Sequence, residues 1–515
     1  MFQSIKRKCQ DVNWFVVLFV VVLSYGFLLT NQSIGIDDEN IDFYYKYNGI
    51  VAAGRWGSWL LYKIVNTYAY LPVWRETIAI IVLIAAAVLF LSVYEYVSQA
   101  VLDRFISTAG VCLIITFPLV TRMFAYIGNC VETSLCIFLA TLSYFIYIFP
   151  AKHKVPQYLC ILALQILGLA LIEATAVYFC VEICLFGLVN KNEKRWSVLI
   201  FGPVFILALS IILSKLIGKL IAARLAGFGF TYADYALGWF MKWNEINSLA
   251  DLLRSIQDLA ANFRLYAGIH ASHKFFLAAC IIWIAVAIFK AIKKEFTPAL
   301  FAFGIVVTSF SLFIISANGN LPLRSYVSNF IAIVGIALYG YPILTKWTYK
   351  KHPYGTYLTW IILFFVLFHH TKETNEFYQL DYKRYIRDVD IARNVNYDLQ
   401  KTTGTLKPDK AVVFVGTPDS YNDIFTENEF CLTSIFMDNV SGNSIRIHRF
   451  FSMLGYEYPT AIGKPIDTYN EYYSFLSNEY VKKALTESSS MPSYPAEGYI
   501  KNLDGFIVIK LGATG

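Results

Sequence analysis

The sequence predicts a polytopic α-helical membrane protein of about eleven transmembrane helices, closed by a small C-terminal extracytoplasmic α/β domain. Three observations carry that expectation. Of 515 residues, 57% are hydrophobic and only 15% are charged, where an ordinary soluble domain carries roughly a quarter charged residues. Such a composition leaves more apolar surface than a soluble fold can bury. The apolar residues are also clustered in runs of about 17 to 22, the length a helix needs to cross roughly 30 Å of hydrocarbon. Finally, alternate connectors between the runs are basic, as expected when Lys and Arg hold a loop in the cytoplasm.

The runs fall at 13–30, 76–97, 105–121, 131–149, 157–173, 174–190, 197–216, 273–290, 298–316, 326–345 and 355–370. The first follows Lys6, Arg7 and Lys8 as a signal peptide would, but it is long and lacks a small-x-small cleavage site, so it reads as a retained helix. The basic connectors are Lys6-Arg7-Lys8, Asp103-Arg104, Lys152-His153-Lys154, 191–195, 290–294 and 346–351. The opposite set comprises 31–75, 218–272, 316–325 and everything after His370. That alternation puts the N-terminus in the cytoplasm and the long polar segments outside. It also requires two helices within 157–190, turning near Glu173, because a single span would reverse every later basic loop.

Two outer segments carry structure of their own. The stretch 56–74, WGSWLLYKIVNTYAYLPVW, is aromatic and too short to span, which suits a helix lying at the interface. The stretch 249–265, LADLLRSIQDLAANFRL, has apolar residues at helical spacing between charges and reads as amphipathic. After His370 the composition becomes that of a soluble domain. A polar helix at 375–399 precedes strand-like runs at Ala411–Val415 and Phe506–Lys510. The chain thus divides into a membrane domain, 1–370, and an outer domain, 371–515.

The net charge of +7 is explained by this topology better than by nucleic acid. Six of the nine cysteines, Cys112, Cys136, Cys160, Cys180, Cys184 and Cys280, fall inside apolar runs with no C-x-x-C grouping, and Cys431 stands alone in the C-terminal region. A disulfide framework is therefore not expected. No phosphate-binding glycine loop, nucleophile elbow, H-E-x-x-H or dinucleotide fingerprint occurs, and His369-His370 is a weak metal signal.

The chemistry concentrates in Gly35-Ile36-Asp37-Asp38-Glu39-Asn40-Ile41-Asp42, just outside the first helix. Adjacent carboxylates raise one another's pKa by like-charge repulsion, which makes a base nearer neutral pH, and their oxygens also suit a divalent cation such as Mg or Mn. The plainer alternative is a solvated acidic turn capping the next helix. Asp37 and Asp38 are the first candidates, with Glu39 and Asp42 secondary. In Gly54-Arg55-Trp56, the arginine can grip a lipid phosphate and the tryptophan can anchor at headgroup depth or stack on a sugar ring. Arg324 and Arg122 are further phosphate candidates. Arg122 and Glu132 flank one short outer turn, where they can also pair with each other. Glu173 at a helix end and Glu182 within an apolar run are carboxylates in costly surroundings.

This arrangement resembles the Gtr type II glucosyltransferases. The shared features are an N-terminal helix, Ile36-Asp37-Asp38-Glu39, Gly54-Arg55-Trp56, a many-helix body, and an outer domain ending in Asp504-Gly505-Phe506-Ile507-Val508-Ile509. The resemblance implies a C-type membrane glycosyltransferase of the bacterial inner membrane that decorates O-antigen, the lipopolysaccharide glycan, or a related surface glycan, sometimes changing serotype. It implies a polyprenyl-phosphate sugar donor, typically undecaprenyl-phosphate glucose, and a lipid-linked glycan acceptor at the periplasmic face. The acidic motif that such enzymes need for catalysis matches Asp37 and Asp38, while Arg55 matches a recurrent Arg-Trp pair. A transporter or flippase of lipid-linked sugars, and a C-type transferase of another sugar, are the alternatives. Against a transporter stands the lack of an internal hydropathy repeat.

Overall fold

A computed structural model describes residues 2–35, 38, 49–52, 54–65, 72–126, 128–150, 153–191, 195, 197–225, 242–321, 323–346, 353–418, 431–432, 434–436, 445–460 and 478–513. Among them, seven helices are long and apolar enough to cross a membrane. These are Pro72–Ser98, Arg104–Arg122, Cys130–Ile148, Lys154–Leu171, Val198–Leu225, Ala271–Ile292 and Tyr326–Leu344. The helices Ile5–Asp11 and Trp14–Thr30, bent by 76°, make an eighth candidate if taken as one span. The expected spans at 174–190 and 298–316 appear as shorter apolar helices, Thr175–Val189 and Phe296–Ser309. The chain does turn beside Glu173, with a break between Leu171 and Thr175.

We number the helices used below α1 (Phe2–Asp11), α2 (Trp14–Thr30), α3 (Trp56–Val65), α4 (Pro72–Ser98), α5 (Arg104–Ile115), α6 (Pro118–Arg122), α7 (Cys130–Ile148), α8 (Lys154–Leu171), α9 (Thr175–Val189), α10 (Gly202–Leu225), α11 (Leu249–Ile269), α12 (Ala271–Ile292), α13 (Phe296–Ser309), α14 (Phe330–Leu344) and α15 (Tyr354–Thr403). Helix α4 is apolar all round and buried along most of its length, as a central helix of a membrane bundle must be. By contrast α10 keeps Ile212, Leu216 and Leu220 exposed, a face suited to lipid. Pro118 lies at the start of α6, where the helix is interrupted between Ile115 and Pro118.

Contacts sort the helix ends into two groups. At one end Arg7 and Lys8 pair with Glu95 at 3.0 and 2.8 Å, Tyr341 bonds to Asp103, and the Lys191 amide bonds to the Val97 carbonyl at 2.9 Å. These are the termini flanked by basic connectors. At the other end lie the acidic loop and the starts of α4, α7 and α12.

The expected polar helix at 375–399 is not separate from the run at 355–370. Helix α15 is continuous over 50 residues, about 75 Å at 1.5 Å per residue. No glycine or proline interrupts 356–403 to stop it. Its second half buries Phe377, Tyr378, Asp381, Arg384, Asp388, Ala392, Val395 and Leu399, a stripe at spacings of three and four that marks one face. Helix α3 begins within the expected interfacial segment, and α11 forms over the expected amphipathic one, capped by the Ser248 hydroxyl on the Asp251 amide.

Beyond α15 a three-stranded sheet forms from β1 (Ala411–Val415), β2 (Ile500–Asn502) and β3 (Phe506–Lys510) in the order β1-β3-β2. Strand β1 is parallel to β3, with Ala411 opposite Phe506, and β2 is antiparallel to it. Alternation of side chains splits the sheet into two faces. Val412, Phe414, Ile507 and Ile509 pack with Val395 and Leu399 of α15 and with α16 (Ile445–Met453). Val413, Val415 and Val508 pack with Val481 and Ala484 of α17 (Glu479–Ser488). The long helix is therefore both a wall of the bundle and a support of the sheet.

Candidate active site

The chain entering the acidic loop, at Ser33 and Ile34, is held against α15. As α2 ends, Ser33 Oγ donates to Asp381 Oδ2 at 2.7 Å, and Arg384 Nη2 donates to the Ile34 carbonyl at 3.0 Å. Arg384 also reaches Asp381 at 3.0 Å and Asp388 at 2.8 Å, and all three side chains are buried. Burial would lower the Arg384 pKa, but the two carboxylates hold it above the ordinary value. From the other side the Leu432 amide donates to Asp381 Oδ1 at 3.0 Å, and Ser434 Oγ donates to Asp388 at 2.6 Å. One arginine and two aspartates on α15 thus hold the end of α2 and the 431–436 segment together.

In that grip the Gly35 amide donates to Asp38 Oδ2 at 3.0 Å, and the Asp38 amide donates to the Gly35 carbonyl at 3.1 Å. Asp38 is only 2% exposed. A Cβ on Gly35 would lie 2.2 Å from Leu432 Cδ1, so any larger residue there makes the Leu432 side chain or the backbone shift. Asp37, Glu39 and Asp42 lie outside the described residues.

Around the same end the charged residues are paired, but not as the sequence spacing suggests. Arg122 and Glu132 each take a partner distant in the sequence. Glu132, in the first turn of α7, takes Arg75 of α4 at 2.8 and 2.9 Å, because α7 packs along α4. Arg122 ends α6, which packs against α15. There its Nη2 lies 3.2 Å from His270 and 3.8 Å from Glu373, with the guanidinium 5.1 Å from the Phe377 ring. A guanidinium only donates, so the imidazole nitrogen facing it accepts. Glu373 in turn takes the Ser272 amide at 3.0 Å and its hydroxyl at 2.8 Å, closing the first turn of α12.

Glu173, in the break between α8 and α9, is shared by Arg55 at 3.6 Å and Lys215 of α10 at 3.8 Å. Arg55 Nη1 also donates to Asn129 Oδ1 at 3.4 Å, and Trp56 Nε1 donates to the Ser214 carbonyl at 3.2 Å. The Arg324 side chain lies outside the described residues. Glu182 is not part of this end: it is buried among helices and accepts from Thr141 at 2.5 Å. His370 packs against Phe117 and Phe275. Among the described residues no three His, Cys, Asp or Glu side chains gather as a metal site.

Sequence reasoning missed Arg75, Glu76, Lys215, His270, Glu373 and the Asp381, Arg384, Asp388 set. Glu76 is 1% exposed and takes a 3.3 Å bond from Gln32. The last set had a readable signal, since spacings of three and four place all three on one helix face. The partners of Lys215 and Glu373 are far away in sequence and gave none.

A bundle of membrane-length helices with buried and half-buried charges gathered at one end defines an integral membrane protein with a polar site at a membrane boundary. Residues 26–341 match the family model described as Glucosyl transferase GtrII, more than half of the chain, and the protein belongs to that family of glycosyltransferases. No curated protein and no solved structure matches the chain. The family match takes in the acidic loop, the clusters at Arg75 and Glu173, and Arg122 with His270, and it ends before α15, which carries Glu373.

Proposed function

We propose that the protein transfers glucose from a polyprenyl-phosphate donor, undecaprenyl-phosphate glucose, to an O-antigen or similar lipid-linked surface glycan. In this reading it makes eleven crossings of the bacterial inner membrane, with the N-terminus cytoplasmic and the C-terminal domain periplasmic. The observation that carries it is the acidic loop of a glucosyltransferase-family chain, with Asp38 buried at the helix end opposite the basic connectors. Loops rich in Lys and Arg stay in the cytoplasm, so the opposite end faces the compartment where lipid-linked sugars are displayed.

The chemistry asks little beyond a base and cations. An acceptor hydroxyl oxygen attacks the anomeric carbon as the bond from that carbon to the phosphate oxygen breaks. The phosphate leaves with the electron pair as a stable anion, and the hydroxyl proton passes to Asp38 or Asp37. Arg55, Arg122 and Arg324 are the candidate cations for the phosphate. Trp56 and Glu173 hold or orient Arg55, Glu132 holds the nearby Arg75, and Glu39 and Asp42 support the base. Asp37 and Asp38 would also hold Mg or Mn if one is used. Loss of transfer on chelation, restored by either ion, is the measurement that assigns it.

The test is direct: purified protein is supplied with labelled glucosyl polyprenyl phosphate and a lipid-linked glycan. A new glycosidic bond supports the reading. Movement of the labelled lipid across a vesicle bilayer with no such bond supports the flippase alternative, and transfer of a different sugar in preference to glucose supports another C-type transferase.

A further inference from the structure

Two apolar cores meet beside Arg384, and each contains one residue from the far side of the junction. Ile34, which leads from α2 into the acidic loop, is buried in the core beside the sheet with Val395, Phe414 and Ile507. Leu432, close in sequence to Ile435 and Phe436 of that sheet core, is buried instead in the core of the helical bundle. Phe436 itself lies with its ring 6.1 and 6.4 Å from those of Phe450 and Phe451 on α16. The two crossing segments touch where Leu432 Cδ1 fills the space that a Cβ on Gly35 would take.

A buried ion set holds the crossing. Arg384 donates from Nε to Asp381 at 3.0 Å, from Nη1 to Asp388 at 2.8 Å and from Nη2 to the Ile34 carbonyl at 3.0 Å. Asp381 also takes the Ser33 hydroxyl and the Leu432 amide, and Asp388 takes the Ser434 hydroxyl and the Ile435 amide. Well-packed apolar residues would join two segments as stably, because taking ions out of water costs about what their attraction returns. What the hydrogen bonds add is direction: they fix the Ile34 carbonyl and the Leu432 amide against the same turns of one helix. That sets Leu432 against Gly35, whose amide bonds Asp38 Oδ2. The residues that do this, 381–388 and 431–436, lie past the end of the family match at 341, so membership of the family assigns them no role.

We infer that Leu432, held by Asp381 and Arg384, is a positioning residue for the transfer reaction, carrying the register of the sheet core to the turn that holds Asp38. This rests on the reading that a carboxylate of the acidic loop is the base. Leu432 acts through Gly35 and not on the reacting atoms. If it is cut back, Gly35 loses the side chain packed on it, and the amide that bonds Asp38 loses its support. The sheet and the segment 431–436 are then part of the catalytic apparatus, and the acidic loop is set by the core beside the sheet as much as by the bundle.

The test compares two truncations of the same kind in the full-length protein in nanodiscs. Leu432→Ala removes the contact with Gly35, and Leu511→Ala removes a buried leucine from the sheet core. Both should lower the unfolding temperature. Only Leu432→Ala should speed hydrogen exchange at the Gly35 and Asp38 amides, by about tenfold or more. Only it should slow single-turnover transfer from saturating glucosyl polyprenyl phosphate at least about tenfold while the donor's Kd stays within about twofold. Leu432→Val, a milder truncation, should move both readouts the same way and carries the test if the alanine variant does not fold. Unchanged exchange at these amides overturns the proposal, as does a wild-type transfer rate. Equal effects in Leu511→Ala make the loss one of general stability and overturn it too. Exchange needs no transfer. If it responds to Leu432 alone while the wild-type protein forms no glycosidic bond, the transferase reading falls and the anchoring of the loop stands.

Discussion

Gly35 shows how finely the acidic loop is held. Its amide bonds the Asp38 carboxylate, and its missing Cβ makes room for Leu432. Gly35→Ala forces Leu432 or the loop to move, an overpacking that costs about 1–3 kcal/mol in a well-packed site. Because that strain is local, the variant should keep its membrane fold by thermal unfolding while its transfer rate falls at least about tenfold, the effect of a misplaced base. Wild-type transfer in Gly35→Ala would mean that the position of Asp38 is not used. Asp37 and Asp38 stand out in the sequence, since four carboxylates in six residues beside an apolar run are rare neighbours. The fastening of the chain just before them, Ser33 to Asp381 and the Ile34 carbonyl to Arg384, was not legible there, because those contacts join residues hundreds of positions apart. The contacts of Arg122 with His270 and Glu373, and of Glu132 with Arg75, were not legible either, because they follow from the packing of α6 on α15 and of α7 on α4.

At the scale of elements, the apolar runs were legible because a span must be apolar over a fixed length, whatever its neighbours. The continuity of α15 was not, since a change from apolar to polar composition looks like a boundary even where the backbone never breaks. That continuity ties the sheet to the bundle, and the sheet carries its own pH sensitivity. His448 on α16 is buried, and its Nε2 donates to the Val412 carbonyl at 2.9 Å. Burial lowers its pKa from 6.5 to about 4, against a smaller opposing effect of that hydrogen bond. Above pH 6.5 both folded and unfolded forms are neutral and nothing changes. Between pH 6.5 and 4 the unfolded chain takes up the proton and the folded one does not, so stability falls as pH falls, by about 3 kcal/mol in all. His448→Gln should lose that part of the dependence, measured as the difference in unfolding temperature between pH 7 and pH 4.5. An identical pH response in the variant would show that His448 is not the group responsible.

For the whole molecule, the separation of its two ends matters most. Arg7, Lys8, Glu95, Asp103 and Lys191 meet at one, and Asp38, Arg55, Arg75, Arg122 and Glu373 at the other. Sidedness can be read from single cysteines at exposed positions. Leu406→Cys, beyond the end of α15, should react with an impermeant maleimide in intact spheroplasts, above the wild-type background. Val101→Cys, in the connector before α5, should react only after permeabilisation. The reverse pattern would invert the topology and place the acidic loop where nucleotide sugars, not lipid-linked ones, are available. The central claim is that a carboxylate of this loop takes the acceptor's proton, and single-turnover transfer from glucosyl polyprenyl phosphate by Asp37→Asn, Asp38→Asn and the double variant tests it most directly. A base contributes roughly 10²–10⁴-fold, so the double variant should lose at least about a hundredfold in rate while still binding the donor; transfer within a few fold of wild type would contradict the account.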